Sequence, residues 1–178
     1  MLKAIDQSLF DVIFDLRYCS RNNILGSVFT KEHCYLHEEA AVKLEKASNL
    51  AKSLGYKLKI FDAYRPIAAQ QKLWDKFQDE RFVSNPETGS IPHCRGVAID
   101  LTLANLDGSD VEMGTDFDDF TEKAFHGASD IDNIAKKNRC LLLGIMMTSG
   151  WDFYRNEWWH YQLFNPRDYD IISDYPKD

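Results

Sequence analysis

The segment that decides the fold is Ser90-Ile-Pro-His-Cys-Arg-Gly-Val-Ala-Ile-Asp-Leu-Thr-Leu103. Its second half alternates in polarity, as a half-buried strand does, because successive side chains of a strand point to opposite faces. One face carries Val97, Ile99, Leu101 and Leu103, and the other carries Ala98, Asp100 and Thr102. A carboxylate on such a strand must be hydrogen-bonded, paired or bound to a metal, because burying it alone is costly. His93 precedes the strand, and the intervening turn is expected to return its imidazole beside Asp100.

A second cluster, Glu157-Trp-Trp-His-Tyr161, lies near the C-terminus. Its aromatic density predicts a core strand, with Glu157 at the strand entrance and His160 within it. His93, Asp100 and His160 match the three protein ligands of a catalytic zinc site, which keeps a fourth position for water. Glu157 is a carboxylate that need not bind the metal and can take a proton from that water. The simpler alternative is two unrelated histidines and a core aspartate, each satisfied by local hydrogen bonds.

These motifs, His93-x-x-Gly96-x-Ala98-x-Asp100 and Glu157-x-x-His160, resemble those of the zinc-dependent D-alanyl-D-alanine dipeptidase family. Relatives of this family are the D,D-carboxypeptidases and the hedgehog-type zinc fold. The resemblance follows family order along nearly the whole chain. It continues through three further motifs: Asp15-Leu-Arg-Tyr18 with Asn22, Asn23 and Gly26; Asp62-Ala-Tyr-Arg65-Pro66; and Met113-Gly-Thr115 with Phe117-Asp118. The chain departs from the family at Ile91, where a serine is usual, with Ser90 one position further back, and at Cys94, where a small hydroxyl residue is common.

The resemblance implies a zinc metallopeptidase that hydrolyses the dipeptide D-alanyl-D-alanine to two D-alanines. It assigns one zinc ion per chain to His93, Asp100 and His160, and the role of general base to Glu157. Arg65 stands at the junction of a predicted strand and helix and is the second catalytic residue implied, as a partner of the oxyanion. A lone arginine at such a position would otherwise be interpreted as an ion-pair partner at the rim of the core.

Other functions on the same fold stay open. One is a D,D-carboxypeptidase or a peptidoglycan peptide endopeptidase, which would cut longer substrates. Another is a non-catalytic zinc-fold domain used for binding, although such a domain would need neither Glu157 nor Arg65. The family serves both glycopeptide-antibiotic resistance and the recycling of cell-wall dipeptides, and the sequence does not choose between them.

The composition of the 178 residues is that of an ordinary globular protein, with 44% hydrophobic and 28% charged residues. We expect a single zinc metallopeptidase domain over residues 1–178. The net charge of -7 argues against a nucleic-acid partner, and no apolar run is long enough for a membrane span. The N-terminus does not match a signal peptide, so a cytoplasmic location is expected. Four cysteines without metal-type spacing are then expected as reduced thiols, with two disulfides as the alternative for an exported protein. These are Cys19, Cys34, Cys94 and Cys140.

Periodicity along the chain predicts an α+β fold, with a mainly antiparallel central sheet flanked by helices. Strands are predicted over residues 11–18 and 57–64, and a helix with one apolar stripe over residues 36–54. A turn at Asp107-Gly108 predicts a hairpin that returns antiparallel to the strand of Asp100. Ser129 with Asp132 resembles the capping box of a later helix.

Overall fold

The computed structural model describes residues 1–28 and 30–176. A central sheet contains five strands: β2 (Val12–Phe14), β4 (Tyr56–Asp62), β5 (Ala98–Asn105), β6 (Asp152–Phe153) and β7 (His160–Gln162). Their order across the sheet is β2-β4-β5-β7-β6. The β2–β4 pair is parallel, and the other three pairs are antiparallel. The predicted α+β class with a mainly antiparallel sheet is confirmed.

A small second sheet pairs β1 (Leu2–Ala4) with β3 (Tyr35–His37) in antiparallel fashion. In the described part of the chain, four α-helices surround the sheets: α1 (Gln7–Phe10), α2 (Glu38–Ser53), α3 (Ile67–Phe77) and α4 (Asn133–Thr148). Helix α2 contacts β4, and α4 contacts both α2 and β5. A single hydrophobic cluster therefore joins the helices to the sheet. Its fully buried members include Leu44, Leu58, Ile60, Leu101, Leu103, Leu142 and Ile145.

Strand β5 lies at the centre of the sheet and is buried on both faces from Ala98 to Ala104. The prediction of a half-buried strand is wrong in this respect, because neighbouring segments also cover the face of Asp100 and Thr102. Asp100 is the register partner of His160 in β7 and of Asp62 in β4. The β4 pairing shifts register between Ile60 and Asp62, as a β-bulge does. Backbone pairing alone thus brings three polar residues from distant parts of the chain together.

Several predicted boundaries differ from the structure for local reasons. The strand predicted over 11–18 ends at Phe14, and a 3-10 turn, Arg17–Cys19, follows. The helix predicted over 36–54 corresponds to α2, which begins only at Glu38 because residues 36 and 37 belong to β3. Asp132 alone caps α4, through its carboxylate and the Ile134 N–H at 2.7 Å, so the predicted capping box at Ser129 is wrong.

The turn at Asp107-Gly108 is present, but the returning chain forms only an isolated bridge between Ala104 and Asp110. Arg139 of α4 fixes the segment that follows, since its guanidinium donates to the carbonyls of Met113 at 2.6 Å and Lys123 at 2.8 Å. These bonds fix both ends of the segment 113–125 to α4.

All four cysteines have free thiols in the structure. Cys34 and Cys94 are buried, whereas Cys140 is exposed. Among the residues described, no helix combines the length and the apolar character that a bilayer crossing requires.

Candidate active site

His93, Asp100 and His160 bring three donor atoms together in the interior of the protein. His93 Nε2 lies 3.2 Å from His160 Nδ1 and 3.3 Å from Asp100 Oδ1, and His160 Nδ1 lies 3.0 Å from Asp100 Oδ1. Zinc bonds of about 2.0 Å in a tetrahedron place neighbouring ligand atoms about 3.3 Å apart. Two imidazoles and one carboxylate at these separations fit a zinc ion. We call this set the donor triangle.

The short turn Pro92–Arg95 delivers His93 to the donor triangle. The His93 Nδ1–H donates to the Ala63 carbonyl at 2.6 Å, which leaves Nε2 bare toward Asp100. Gly96 ends the turn with a φ of +68°, and its carbonyl accepts from the His37 N–H at 2.7 Å. A Cβ on Gly96 would lie 2.6 Å from Leu2 Cδ2 and 3.1 Å from the His37 nitrogen. The positive φ favours glycine, and a methyl group here would force the Leu2 side chain and the His37 backbone to shift.

Arg65 is buried next to the triangle and is held by several side chains. Its Nε and Nη2 donate to Asp62 Oδ2 at 2.9 and 2.7 Å, and its Nη1 donates to Gln70 Oε1 at 2.7 Å. The guanidinium also lies 4.8 Å from the ring centre of Tyr18. Burial opposes the charge, but Asp62 above all raises the pKa of Arg65 beyond its ordinary value. Arg65 is therefore a fixed, permanently charged donor, 3.7 Å from Asp100 Oδ2 through its Nη2.

Glu157 lies beside the triangle without belonging to it. Its Oε2 is 3.8 Å from His160 Nδ1, and its side chain is only 8% exposed. Burial, and then the charges of Asp100 and Asp118, raise the pKa of the Glu157 carboxyl well above its ordinary value. The predicted strand for this cluster is correct only from His160 onward. Glu157 instead lies in a turn, where its carbonyl accepts from the His160 N–H at 3.3 Å.

Tyr18 and Asp118 belong to the site but are not among the candidate site residues predicted from the sequence. Asp118 accepts hydrogen bonds from the Tyr18 hydroxyl, which lies 3.0 Å from each of its carboxylate oxygens. Burial first, and then the charge of Asp100, raise the pKa of Asp118 to about 8. Asp118 has a φ of +62° and lies in a turn. Both residues stand in motifs that carry the family resemblance, and this was the only signal that could have singled them out.

A cavity of about 170 Å³ opens onto these groups. Drug-sized ligands occupy sites of about 300–1,000 Å³, so this cavity suits a much smaller molecule. Its wall includes Ser84, Ser90, Ile91 and Tyr154. Ile91 stands where the family usually has serine, and it is 2% exposed with a φ of +40°. Its N–H donates to the Ser84 hydroxyl at 3.1 Å, which supports a backbone conformation that β-branched residues rarely adopt.

Known proteins resemble this chain along most of its length. The Peptidase_M15 family model, described as D-ala-D-ala dipeptidase, matches residues 1–178. The D-alanyl-D-alanine dipeptidase of Escherichia coli (strain K12) is 36% identical over 92% of this chain and 85% of its own length. The enzyme of the same name from Enterococcus faecalis (strain ATCC 700802 / V583) is 34% identical, over 90% of each chain.

A solved structure of the LdcB LD-carboxypeptidase shares the fold, with a TM-score of 0.52 and 18% identity over 89% of this chain and 67% of that one. The fold is thus that of peptidases of this kind. Because the family model covers the whole chain and the two relatives cover most of it, the chain belongs to the Peptidase_M15 family of D-ala-D-ala dipeptidases.

Proposed function

We propose that this chain hydrolyses D-alanyl-D-alanine to two D-alanines at a zinc centre held by His93, Asp100 and His160, with Glu157 as general base. The observation that carries this proposal is the donor triangle, whose edges of 3.0–3.3 Å suit zinc and which has a buried carboxylate next to it. Family membership supports the same reaction.

Zinc bound there would supply a Lewis acid that activates water and polarises the peptide carbonyl. Glu157 then takes the proton of the attacking water and passes it to the leaving amine. Burial raises the pKa of this carboxyl, which makes its carboxylate a stronger proton acceptor than an exposed glutamate.

Arg65 is the second catalytic residue in this proposal. Its guanidinium lines the cavity, and Asp62 and Gln70 fix its orientation before any substrate arrives. A donor fixed in this way needs no reorganisation when negative charge develops on the carbonyl oxygen, and such donors contribute about 3 kcal/mol in other enzymes.

The substrate proposed is a free dipeptide, whose ammonium and carboxylate both need partners. Asp118 is the acidic group that we assign to the ammonium, because it lines the cavity and is not itself a member of the donor triangle. The cavity of about 170 Å³ supports a short substrate, whereas the carboxypeptidase and endopeptidase alternatives act on substrates that extend beyond two residues. A domain used only for binding is disfavoured, because burying Glu157 and Arg65 costs folding free energy and such a domain needs neither residue.

The test separates metal binding from turnover. The wild-type protein is expected to hold one zinc per chain and to release alanine from D-Ala-D-Ala, with L-Ala-L-Ala as the stereochemical comparison. His160→Ala should lower the zinc content, whereas Glu157→Ala should keep the zinc and lose turnover by a factor of about 100–10,000. Elemental analysis showing equal loss of zinc in both variants would contradict the division of roles.

A further inference from the structure

The imidazole of His160 has a hydrogen-bond partner on each nitrogen. Nδ1 faces Asp100 and His93 in the donor triangle, and Nε2 lies 3.2 Å from the Gln162 side-chain oxygen Oε1. A neutral imidazole carries one N–H, so a nitrogen that binds a metal must leave the proton on the other nitrogen. The tautomer that serves the triangle therefore carries its proton on Nε2 and needs an acceptor there.

Strand geometry places Gln162 at the correct position for this contact. His160 and Gln162 are alternate residues of β7, so their side chains leave the same face of the strand. Ala98 is the register partner of Gln162 in β5, and its single methyl group leaves room for the longer amide. Gln162 is half-buried and lines the cavity, so protein atoms and not only solvent define its orientation.

The two histidines of the triangle differ in how this proton is held. The Nδ1–H of His93 donates to a backbone carbonyl, that of Ala63, which no side-chain substitution removes. The Nε2–H of His160 depends instead on one side chain. His160 is thus the ligand whose orientation a single substitution can change while the ligand itself remains.

We propose that Gln162 is a positioning residue that holds His160 as its Nε2–H tautomer and so presents a bare Nδ1 to the metal. The inference rests on the proposed zinc site and adds to it a residue that never touches the metal. Removal of such a partner typically weakens metal binding by about 10–100-fold.

The experiment compares three variants in the zinc-loaded protein. Gln162→Leu removes the acceptor at similar size, and Gln162→Glu keeps an oxygen acceptor. Gln71→Leu is the matched control, because Gln71 is exposed on α3 and its side-chain amide donates to Asp75 Oδ1 at 2.7 Å, away from the site. Zinc affinity is measured by competition with a chelator. The His160 Nε2–H signal is followed by nitrogen-15 NMR, and thermal unfolding confirms that each variant is folded.

We expect Gln162→Leu to weaken zinc binding about 10–100-fold and to expose the Nε2–H to exchange with water. Gln162→Glu should bind zinc at least as tightly as the wild type, and Gln71→Leu should change neither quantity. A Gln162→Leu protein with wild-type zinc affinity and a protected Nε2–H would overturn the inference. A wild-type protein that binds no zinc would instead overturn the proposed function, and the NMR signal would then test the hydrogen bond by itself.

Discussion

Arg65 is surrounded by groups that fix the guanidinium, and this environment determines what its removal should do. Asp62, Gln70 and the Tyr18 ring hold it from three sides, whereas the donor triangle is complete without it. A fixed donor of this kind acts mainly on the transition state, so its loss should appear in kcat.

We therefore expect Arg65→Ala to lower kcat by a factor of about 100 or more while the zinc content stays unchanged. Arg65→Lys should recover only part of the rate, because an ammonium cannot reproduce the planar fork of donors that contacts both Asp62 and Gln70. Steady-state kinetics with D-Ala-D-Ala measure kcat and KM, and elemental analysis measures the zinc content. If only KM rises, Arg65 belongs to substrate binding.

Asp118 gives a prediction for the pH dependence of stability. Its pKa is about 8 in the folded protein and about 3.9 in an unfolded chain. The folded state therefore holds this proton more tightly, and the contribution of Asp118 to stability falls as the pH rises from about 4 to about 8. Asparagine resembles the protonated form and does not titrate.

Asp118→Asn should consequently be more stable than the wild type at pH 8 by at least about 1 kcal/mol, and the difference should vanish near pH 4. Urea unfolding of both proteins at several pH values, with the metal content matched, measures this difference. A gain that is equal at pH 4 and pH 8 would show that Asp118 does not titrate in this window.

At the scale of elements, the turn Pro92–Arg95 positions His93, and the positive φ of Gly96 ends this turn close to Leu2 and His37. Gly96→Ala should destabilise the protein by about 2–4 kcal/mol and weaken zinc binding, since the new methyl group meets Leu2 and the backbone of His37. Gly55→Ala is the control, because Gly55 also has a positive φ of +87° but no atom within 4 Å of the added Cβ.

The control should cost only about 1 kcal/mol, the strain of the backbone alone. Denaturant unfolding gives both values, and the difference between them isolates the close contacts at Gly96. Equal losses in the two variants would mean that the β1–β3 sheet yields easily to the added methyl group.

The sequence predicted some of these elements and missed others for identifiable reasons. The alternation of β5 and the ligand types of His93, Asp100 and His160 are local patterns, and the structure brings these three side chains together. The pairing of Tyr18 with Asp118 joins residues one hundred positions apart, and no local periodicity encodes it. The burial of both faces of β5 likewise depends on segments that pack against it from elsewhere in the chain.

At the scale of the whole molecule, we propose that residues 1–178 act as one zinc metallopeptidase domain, because one hydrophobic cluster joins α2 and α4 to the central sheet. The site lies within this body and opens through a cavity of about 170 Å³. We expect the size and the acidic lining of the cavity to favour a short substrate with a free ammonium group.

We expect the enzyme to cleave D-Ala-D-Ala in preference to N-acetyl-D-Ala-D-Ala and to a pentapeptide that ends in D-Ala-D-Ala. A neutral acyl group would leave Asp118 without its ammonium partner, and such a mismatch can reduce kcat/KM by on the order of 10,000-fold. Release of free D-alanine from the three substrates measures the preference. Comparable kcat/KM values for the dipeptide and the pentapeptide would favour the carboxypeptidase alternative.

The strand order β2-β4-β5-β7-β6 also affects how the protein is made on the ribosome. The antiparallel β4–β5 pair can form as soon as both strands have been synthesised, but the other edge of β5 receives β7, which is synthesised only after α4. Until then the nascent chain carries an open, apolar strand edge, the kind of surface that recruits chaperones or aggregates. His160 arrives on that same strand, so assembly of the donor triangle and closure of the sheet are expected to coincide.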